Sequence, residues 1–182
     1  MSAAAPRIPP GTSPREIGPF AWGFGHVAGL VARTKPPNLF MTLGRHPKLL
    51  RGWLRFAGRL MPRGTLPRRE TELAILRVAH LRSCAYEFEH HVRLGRRAGV
   101  GPAELERVME GPQAAGWSAR EQALLTAVDE LHATQDVSDA TWAELGRHLG
   151  SRQLIELVFL VGHYEMLATA IGTLRIQPDA PR

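Results

Sequence analysis

The sequence predicts an all-α protein, a compact helical bundle, and three observations support this fold class. Its 182 residues are 44% apolar and 22% charged, which is an ordinary balance for a globular chain with a buried core. Apolar residues recur with the period of a helix from Pro47 onward, and no segment alternates convincingly with the two-residue period of a strand. Proline, serine and glycine stand where helices begin and end. We expect roughly seven helices in one domain.

The N-terminal part carries the weakest helical signal. Residues 1–19 hold five prolines, which predicts a flexible arm that is extended or disordered. Residues 20–44 are apolar but are interrupted by glycines and by Pro36-Pro37, so we expect irregular structure there with a short helix at most. The expected organisation is therefore a flexible arm over residues 1–19 and a single helical domain over residues 20–182.

The helical period becomes regular after Pro47. One apolar stripe marks the first regular helix, formed by Leu49, Leu50, Trp53, Leu54, Ala57, Leu60 and Met61. Pro67 suits the first turn of the next helix. A further helix is predicted from about Cys84 to Ala98 with Gly99 as its C-terminal cap, and a short helix follows over Pro102–Met109.

Three serines predict the helix starts of the C-terminal half. Ser118 and Glu121 match a capping box, which opens a helix that extends to about Thr134. Ser138 and Ser151 are typical caps for two more helices. The apolar run from Leu154 to Leu174 contains charged and titratable side chains, so a buried helix is expected rather than a membrane span.

Ionisable residues on an apolar helix face mark the candidate site. At 100° per residue, Glu87 and His91 fall on the apolar face of the helix from residue 84 to 98, where charged groups require partners. Their neighbours on that face are Cys84, Phe88, Leu94, Gly95 and Ala98. Glu87 and His91 are four residues apart and can touch, and a carboxylate–imidazole pair in a dry site can move a proton. Glu72 lies in the apolar stripe of the preceding helix, so three inward ionisable groups together favour a functional site.

Structural interpretations of the same residues remain open. Glu87 and His91 could form an ordinary helical pair that satisfies itself, and Glu72 could complement the helix dipole. Cys84 alone is typical of a small buried hydrophobe. On the helical projection Tyr86 and His90 are expected at the surface or at an interface, whereas His163 and Tyr164 are expected as satisfied core groups.

The stretch ETELAILRVAHLRSCAYEFEHHVRLGRRAGV, residues 70–100, resembles the carboxymuconolactone decarboxylase family, which is related to alkylhydroperoxidase D. The resemblance rests on Glu72 within E-L-x-I-L-R-x-A, on Y-E-F-x-x-H at Tyr86–His91 and on the glycine at position 99. The segments 38–53 and 153–166 extend it to about residues 38–178. It implies a helical bundle of the alkylhydroperoxidase D-like type that assembles as trimers or hexamers, with sites near subunit interfaces.

The resemblance also implies roles for the candidate residues. Alkylhydroperoxidase D-like members use Cys-x-x-Cys-x-x-x-His with an upstream glutamate; here Cys84, His91 and Glu72 match, and Glu87 replaces the second cysteine. That replacement removes the dithiol and with it disulfide cycling. Decarboxylase-like members carry the Tyr-Glu-aromatic-x-x-His segment and release CO2 from γ-carboxymuconolactone without a metal or organic cofactor. On this basis His91 is the expected proton donor or shuttle, Glu87 sets its orientation and pKa, and Glu72 is a second acid or base. Cys84 and Tyr86 are expected as supporting residues, and an arginine that the sequence does not identify would hold the substrate carboxylate.

Other functions stay open as alternatives. A peroxidase-like antioxidant protein would use the single Cys84 with an outside thiol. The segment from Arg45 to Arg69 has eight cations and no acid, which could bind nucleic acid but equally fits a solvated helix face or a subunit interface. A non-catalytic relative would use Glu87 and His91 only to hold two helices together. The adjacent His90 and His91 cannot both face one site on a helix, so no metal site is expected.

The composition indicates where such a protein works. Its single cysteine excludes an internal disulfide and fits a reducing compartment. The first residues lack an apolar core of signal-peptide length. We therefore expect a cytoplasmic homo-oligomer that acts on a small molecule, away from membranes. The net charge of +6 favours acidic partners, but charge alone is weak evidence for nucleic-acid binding, which is not expected.

Overall fold

Helices form every regular element of residues 5–181, which are the residues that the computed structural model describes. The nine helices of this range are α1 (Pro14–Ala32), α2 (Asn38–Leu43), α3 (Pro47–Leu60), α4 (Arg68–Leu81), α5 (Ala85–Arg97), α6 (Pro102–Glu110), α7 (Ala119–Thr134), α8 (Asp139–His148) and α9 (Ser151–Leu174). The same residues contain no strand, only an isolated bridge between Thr34 and Pro181. The predicted all-α fold class is confirmed, with nine helices instead of about seven.

The described residues divide into two compact units. Residues 58–168 form one unit, and the described residues on either side of them form the other. The second unit closes because the C-terminal segment returns to the N-terminal helices. The Asn38 amide donates to Asp179 Oδ1 at 2.8 Å, and the Arg7 amide donates to the Leu174 carbonyl at 3.0 Å.

The N-terminal part is more helical than the sequence predicts. Helix α1 begins at Pro14 inside the expected arm, whose residues 1–4 lie outside the described range, and it continues through much of the segment expected to be irregular. Gly25 and Gly29 lie inside this helix and allow close packing against it. A Cβ on Gly25 would lie 2.6 Å from Met41 Sδ, and one on Gly29 would lie 2.9 Å from the Lys35 carbonyl oxygen. Only Gly18 leaves helical geometry, at φ 79° and ψ 153°.

The unit of residues 58–168 is built around α4. Its side chains from Leu73 to Ala79 are all buried, and it packs against α5, α6 and α7. Arg77 joins three of these elements, since its guanidinium donates to Asp129 Oδ1 and Oδ2 at 2.7 and 2.8 Å and also to the carbonyls of Val108 and Met109. Helix α4 is therefore fixed along its length by apolar burial and by this buried ion pair.

The predicted serine caps of α7 and α8 and the predicted glycine after α5 are present, whereas Ser151 is the first residue of α9 and not its cap. Ser118 Oγ accepts the amide of Glu121, whose carboxylate takes the Ser118 amide in return, so the capping box of α7 is complete. Ser138 Oγ accepts the amide of Thr141 at the start of α8. Gly99 follows α5 with φ 85°, the left-handed conformation that glycine adopts most easily.

A glutamate of α9 holds the loop that leads into α4. Glu156 accepts the Thr65 amide at 2.5 Å, the Thr65 hydroxyl at 2.7 Å and the Leu66 amide at 3.0 Å. Two backbone donors and one hydroxyl thus converge on one carboxylate, two residues before α4 begins. The first turn of α4 is positioned by this contact.

Helix α9 is also long and apolar. Its 24 residues have a mean hydropathy of 1.6 in the most apolar window, of which 44% is buried, so it meets the length and composition of a membrane-spanning helix. Core helices of water-soluble proteins meet the same criteria. One face of α9 carries Leu157, Leu160, Val161 and Tyr164, all buried within the unit.

Candidate active site

The inward face of α5 carries the two ionisable residues that the sequence places there. Glu87 is 4% exposed and His91 is 2% exposed, whereas the opposite face of the helix is solvated. The side chains are one helical turn apart, and His91 Nε2 lies 3.3 Å from Glu87 Oε2. Both side chains therefore face inward, as the helical period predicts.

Helix α4 supplies the third member. Glu72 is fully buried, and its Oε2 lies 2.8 Å from His91 Nδ1, nineteen residues further along the chain. The imidazole of His91 is thus enclosed by two carboxylates, one at each ring nitrogen. We call Glu72, His91 and Glu87 the Glu–His–Glu cluster. The shorter of the two contacts to His91 is the one from Glu72.

Arg68 continues the cluster on the side of Glu72. It lies four residues before Glu72 on α4 and forms an ion pair with Glu72 Oε1. Charges therefore alternate from guanidinium to carboxylate to imidazole to carboxylate. Such alternation offsets part of the free energy that burial of each charge costs.

The two carboxylates change the protonation of His91. Burial disfavours the charged imidazolium, but the interactions with Glu72 and Glu87 outweigh it and raise the pKa of His91 to about 9. His91 is consequently a cation at neutral pH. At neutral pH the imidazole of His91 therefore carries a proton that a histidine in water would largely have lost.

Aromatic and titratable side chains surround the cluster. Tyr164 lies edge-on to His91 with ring centroids 5.1 Å apart, and its hydroxyl donates to Met61 Sδ at 3.8 Å. Burial, followed by the nearby charges of the two glutamates, raises the pKa of Tyr164 well above its usual value, so the phenol keeps its proton. Burial and the charge of His91 lower the pKa of His90 to about 4, and burial also lowers the pKa of His163. These histidines are neutral at pH 7.

The two supporting residues expected from the sequence lie at the start of α5. Cys84 is 8% exposed and occupies the N-cap position of that helix. Burial, together with the Glu87 charge, raises the pKa of the Cys84 thiol, so the unreactive thiol form dominates at neutral pH. Tyr86 is partly buried.

Two residues of this site are not singled out by the sequence analysis. Arg68 could have been found, because its spacing of four residues from Glu72 is the spacing of a helical ion pair. Tyr164 is assigned there to the core, and no signal in the sequence indicates that it packs on His91. Among residues 5–181, no group of three or more His, Cys, Asp and Glu side chains is arranged to hold a metal ion.

Comparisons with known proteins match part of the chain to one family. Residues 47–130 match the model of the carboxymuconolactone decarboxylase family, a range that contains the Glu–His–Glu cluster and Arg68. No curated protein matches the sequence.

Solved structures share the fold across nearly the whole chain. An uncharacterized peroxidase-related protein from Silicibacter sp. TM1040 has a TM-score of 0.82 at 16% identity and covers 97% of this chain and 95% of its own. The alkylhydroperoxidase AhpD core protein from Ralstonia eutropha JMP134, also peroxidase-related, has a TM-score of 0.78 at 21% identity, with 96% and 94% covered. A cysteine-to-alanine variant of the debrominase Bmp8, in complex with 2,3,4-tribromopyrrole, has a TM-score of 0.82 at 14% identity, with 99% and 95% covered. Residues 47–130 thus match the carboxymuconolactone decarboxylase family, and the fold is shared with alkylhydroperoxidase D-like proteins, which together support membership of the carboxymuconolactone decarboxylase and alkylhydroperoxidase D-like superfamily.

Proposed function

We propose that the protein is an acid–base enzyme of the carboxymuconolactone decarboxylase type, which decarboxylates or transfers a proton on a small lactone or cyclic acid. The observation that carries this proposal is the imidazolium of His91, buried between Glu72 and Glu87 with a pKa of about 9. A structural ion pair needs only one carboxylate. A second carboxylate at the other ring nitrogen provides a place for a proton to go.

The two glutamates contact different nitrogens of His91 and have different roles in the proposal. Glu72 holds Nδ1 and fixes the ring, and Arg68 pairs with the other oxygen of Glu72. The proton on Nε2 is the one available for transfer. Glu87 Oε2 lies 3.3 Å from Nε2 and is the acceptor or relay for that proton.

The proposed reaction balances with this single proton. The bond between the ring carbon and the substrate carboxylate breaks, CO2 leaves, and the electron pair enters the conjugated lactone as a dienolate. The Nε2 proton, passed directly or through Glu87, then forms a C–H bond at a ring carbon. A solvent proton restores the imidazolium.

The relatives support the chemical class and leave the substrate open. The family match favours a lactone acid. One structural neighbour is a debrominase bound to a small aromatic ring, which supports including halogenated pyrroles beside lactones in a substrate panel. Activity in the cytoplasm and assembly into a homo-oligomer belong to the same proposal.

A peroxidase-like function at Cys84 is the second candidate, because two structural neighbours are peroxidase-related proteins. The surroundings of Cys84 argue against it. The thiol is buried and its pKa is raised, whereas a peroxide-reducing cysteine needs an accessible thiolate.

The test is CO2 release from γ-carboxymuconolactone and a panel of lactones and cyclic acids. We expect turnover by the wild type and a loss of about a hundredfold or more in His91→Gln, as for removal of a general acid. His132→Gln is the matched control, because His132 also bonds a glutamate, Glu165, at 2.7 Å but lies outside the site. Equal loss in both variants, or turnover in His91→Gln at the wild-type rate, would contradict the proposal. Peroxide reduction that Cys84→Ser abolishes would favour the second candidate.

A further inference from the structure

Three polar groups next to the Glu–His–Glu cluster lack good hydrogen-bond partners. Arg68 Nη1 is buried and has no partner among the described residues. Glu72 Oε1 accepts no hydrogen bond from them, although it forms the ion pair with Arg68. The Tyr164 hydroxyl donates to the thioether of Met61, which is a weak acceptor. Buried polar groups in native proteins are nearly always paired, so this concentration requires an explanation.

The three groups belong to one connected set. Arg68 pairs with Glu72, Glu72 bonds His91, and the His91 ring lies against Tyr164. Arg68 is also near enough to Tyr164 that its charge lowers the pKa of the phenol, opposing the effect of burial. Both donors therefore belong to side chains next to the Glu72–His91 pair, Arg68 through its ion pair with Glu72 and Tyr164 through its ring contact with His91.

The donor chemistry fits an anion. A guanidinium presents five N–H groups in a planar fork, and Arg68 uses one edge of it on Glu72 while Nη1 stays unused. A phenol that keeps its proton is a strong neutral donor. Because the charges of Arg68, Glu72, His91 and Glu87 cancel, the cluster itself does not repel an incoming negative charge.

We propose that Arg68 Nη1 and Tyr164 Oη form an oxyanion subsite, which binds the carbonyl oxygen of a conjugated lactone or cyclic enone as that oxygen becomes an enolate. This inference rests on the proposed function and deepens it by naming the substrate class and the two residues that select it. Donors aimed at charge that develops during reaction stabilise the transition state more than the ground state. Arg68 and Tyr164 thereby complement the proton supplied from His91.

The test uses tetronate, the stable enolate of a small lactone, as a probe of the subsite, with its neutral O-methyl ether for comparison. The chain has only two tyrosines, so a protein labelled with ¹³C in the tyrosine ring gives two easily assigned NMR signals. Binding of tetronate is expected to shift one signal, and that signal is absent in Tyr164→Phe. The ether is expected to bind more weakly and to leave the Tyr164 signal in place.

Variants measure each donor. We expect Kd for tetronate to rise about tenfold or more in Arg68→Gln and about three- to tenfold in Tyr164→Phe, with little change for the ether. Arg69→Gln is the matched control, because Arg69 is the next residue of α4, has similar exposure and pairs with Glu104 and Glu121 outside the site. If Arg68→Gln does not fold, Arg68→Lys retains the charge without the fork, and the same direction of change is expected.

The outcomes separate this inference from the proposed function. Tetronate binding that is equal in the wild type, Arg68→Gln and Tyr164→Phe, or that leaves both tyrosine signals unmoved, overturns the subsite even if His91-dependent CO2 release is found. Tetronate binding that depends on both donors supports the subsite even if no lactone of the panel is decarboxylated. In that case only the proposed reaction fails.

Discussion

Raising the pH from 6.5 to 9 is expected to destabilise the wild-type protein through His91. The pKa of His91 rises from 6.5 to about 9 on folding, because Glu72 and Glu87 hold the charged form. Between these values the folded protein binds one more proton than the unfolded chain. The free energy of unfolding therefore falls with pH, by up to about 1.4 kcal/mol per pH unit.

The size of this loss of stability follows from the difference between the two pKa values of His91, 6.5 in the unfolded chain and about 9 in the folded protein. A shift of this magnitude corresponds to about 3 kcal/mol, a large part of the stability of an ordinary domain. This contribution is fully present below pH 6.5 and is lost as the pH rises through about 9. His90 and His163 do not produce it, since their pKa values are lowered and their contribution changes on the acid side of this window.

The assay is urea denaturation of the wild type and His91→Gln at pH 6, 7, 8 and 9. We compare the pH dependence of the free energy of unfolding instead of absolute stability, because the variant leaves two buried carboxylates without their cation. The wild type should lose stability across the window while His91→Gln changes much less. Glu87→Gln, which removes one of the two carboxylates, should move the loss to lower pH. His132→Gln should follow the wild type.

Parallel curves for the wild type and His91→Gln would refute the reasoning. They would mean that His91 is neutral in the folded protein, so the two carboxylates would not hold a proton on the ring. The proton-donor role in the proposed function would then fail with it.

Three further outcomes are expected. Arg77→Met should lower the free energy of unfolding in urea by about 3–5 kcal/mol, because it leaves Asp129 and two carbonyls without their buried partner. The control Arg147→Met, which removes an exposed ion pair, should lower it by less than about 1 kcal/mol. Equal losses in the two variants would contradict the role of burial. Cys84 should react with iodoacetamide much more slowly than glutathione at pH 8, since it is buried with a raised pKa, and a rate equal to that of glutathione would show an accessible thiolate. The molar mass measured by light scattering should be that of a trimer or hexamer, and the 20.1 kDa mass of a monomer would contradict this prediction.

The helical period is sufficient to predict the parts of the site that lie on single helix faces. Glu87 and His91 share a face of α5 in any helix with this sequence, and Glu72 occupies the buried stripe of α4. The contact between Glu72 and His91 depends on how α4 and α5 pack, which the period does not specify. The sequence therefore predicts three inward groups but not which nitrogen each carboxylate takes.

The missed features have physical causes of the same kind. Helix α1 is obscured because Gly25 and Gly29 resemble helix breakers, whereas their lack of a side chain is what lets Met41 and Lys35 approach. Tyr164 appears in the sequence as one more residue of an apolar run. Its role depends on the neighbour that its ring meets, and that neighbour lies 73 positions earlier, at His91.

The contact between Glu156 and the loop before α4 links α9 to the start of α4, where Arg68 lies. Glu156 and Tyr164 are separated by eight residues of one continuous helix, which at 1.5 Å per residue is a rigid distance of about 12 Å. At one end of this span, Glu156 binds the loop that precedes Arg68. At the other end, the ring of Tyr164 packs against His91. Helix α9 thus contacts both the loop that precedes Arg68 and the ring of His91, so Glu156 helps to fix the position of the guanidinium relative to the phenol.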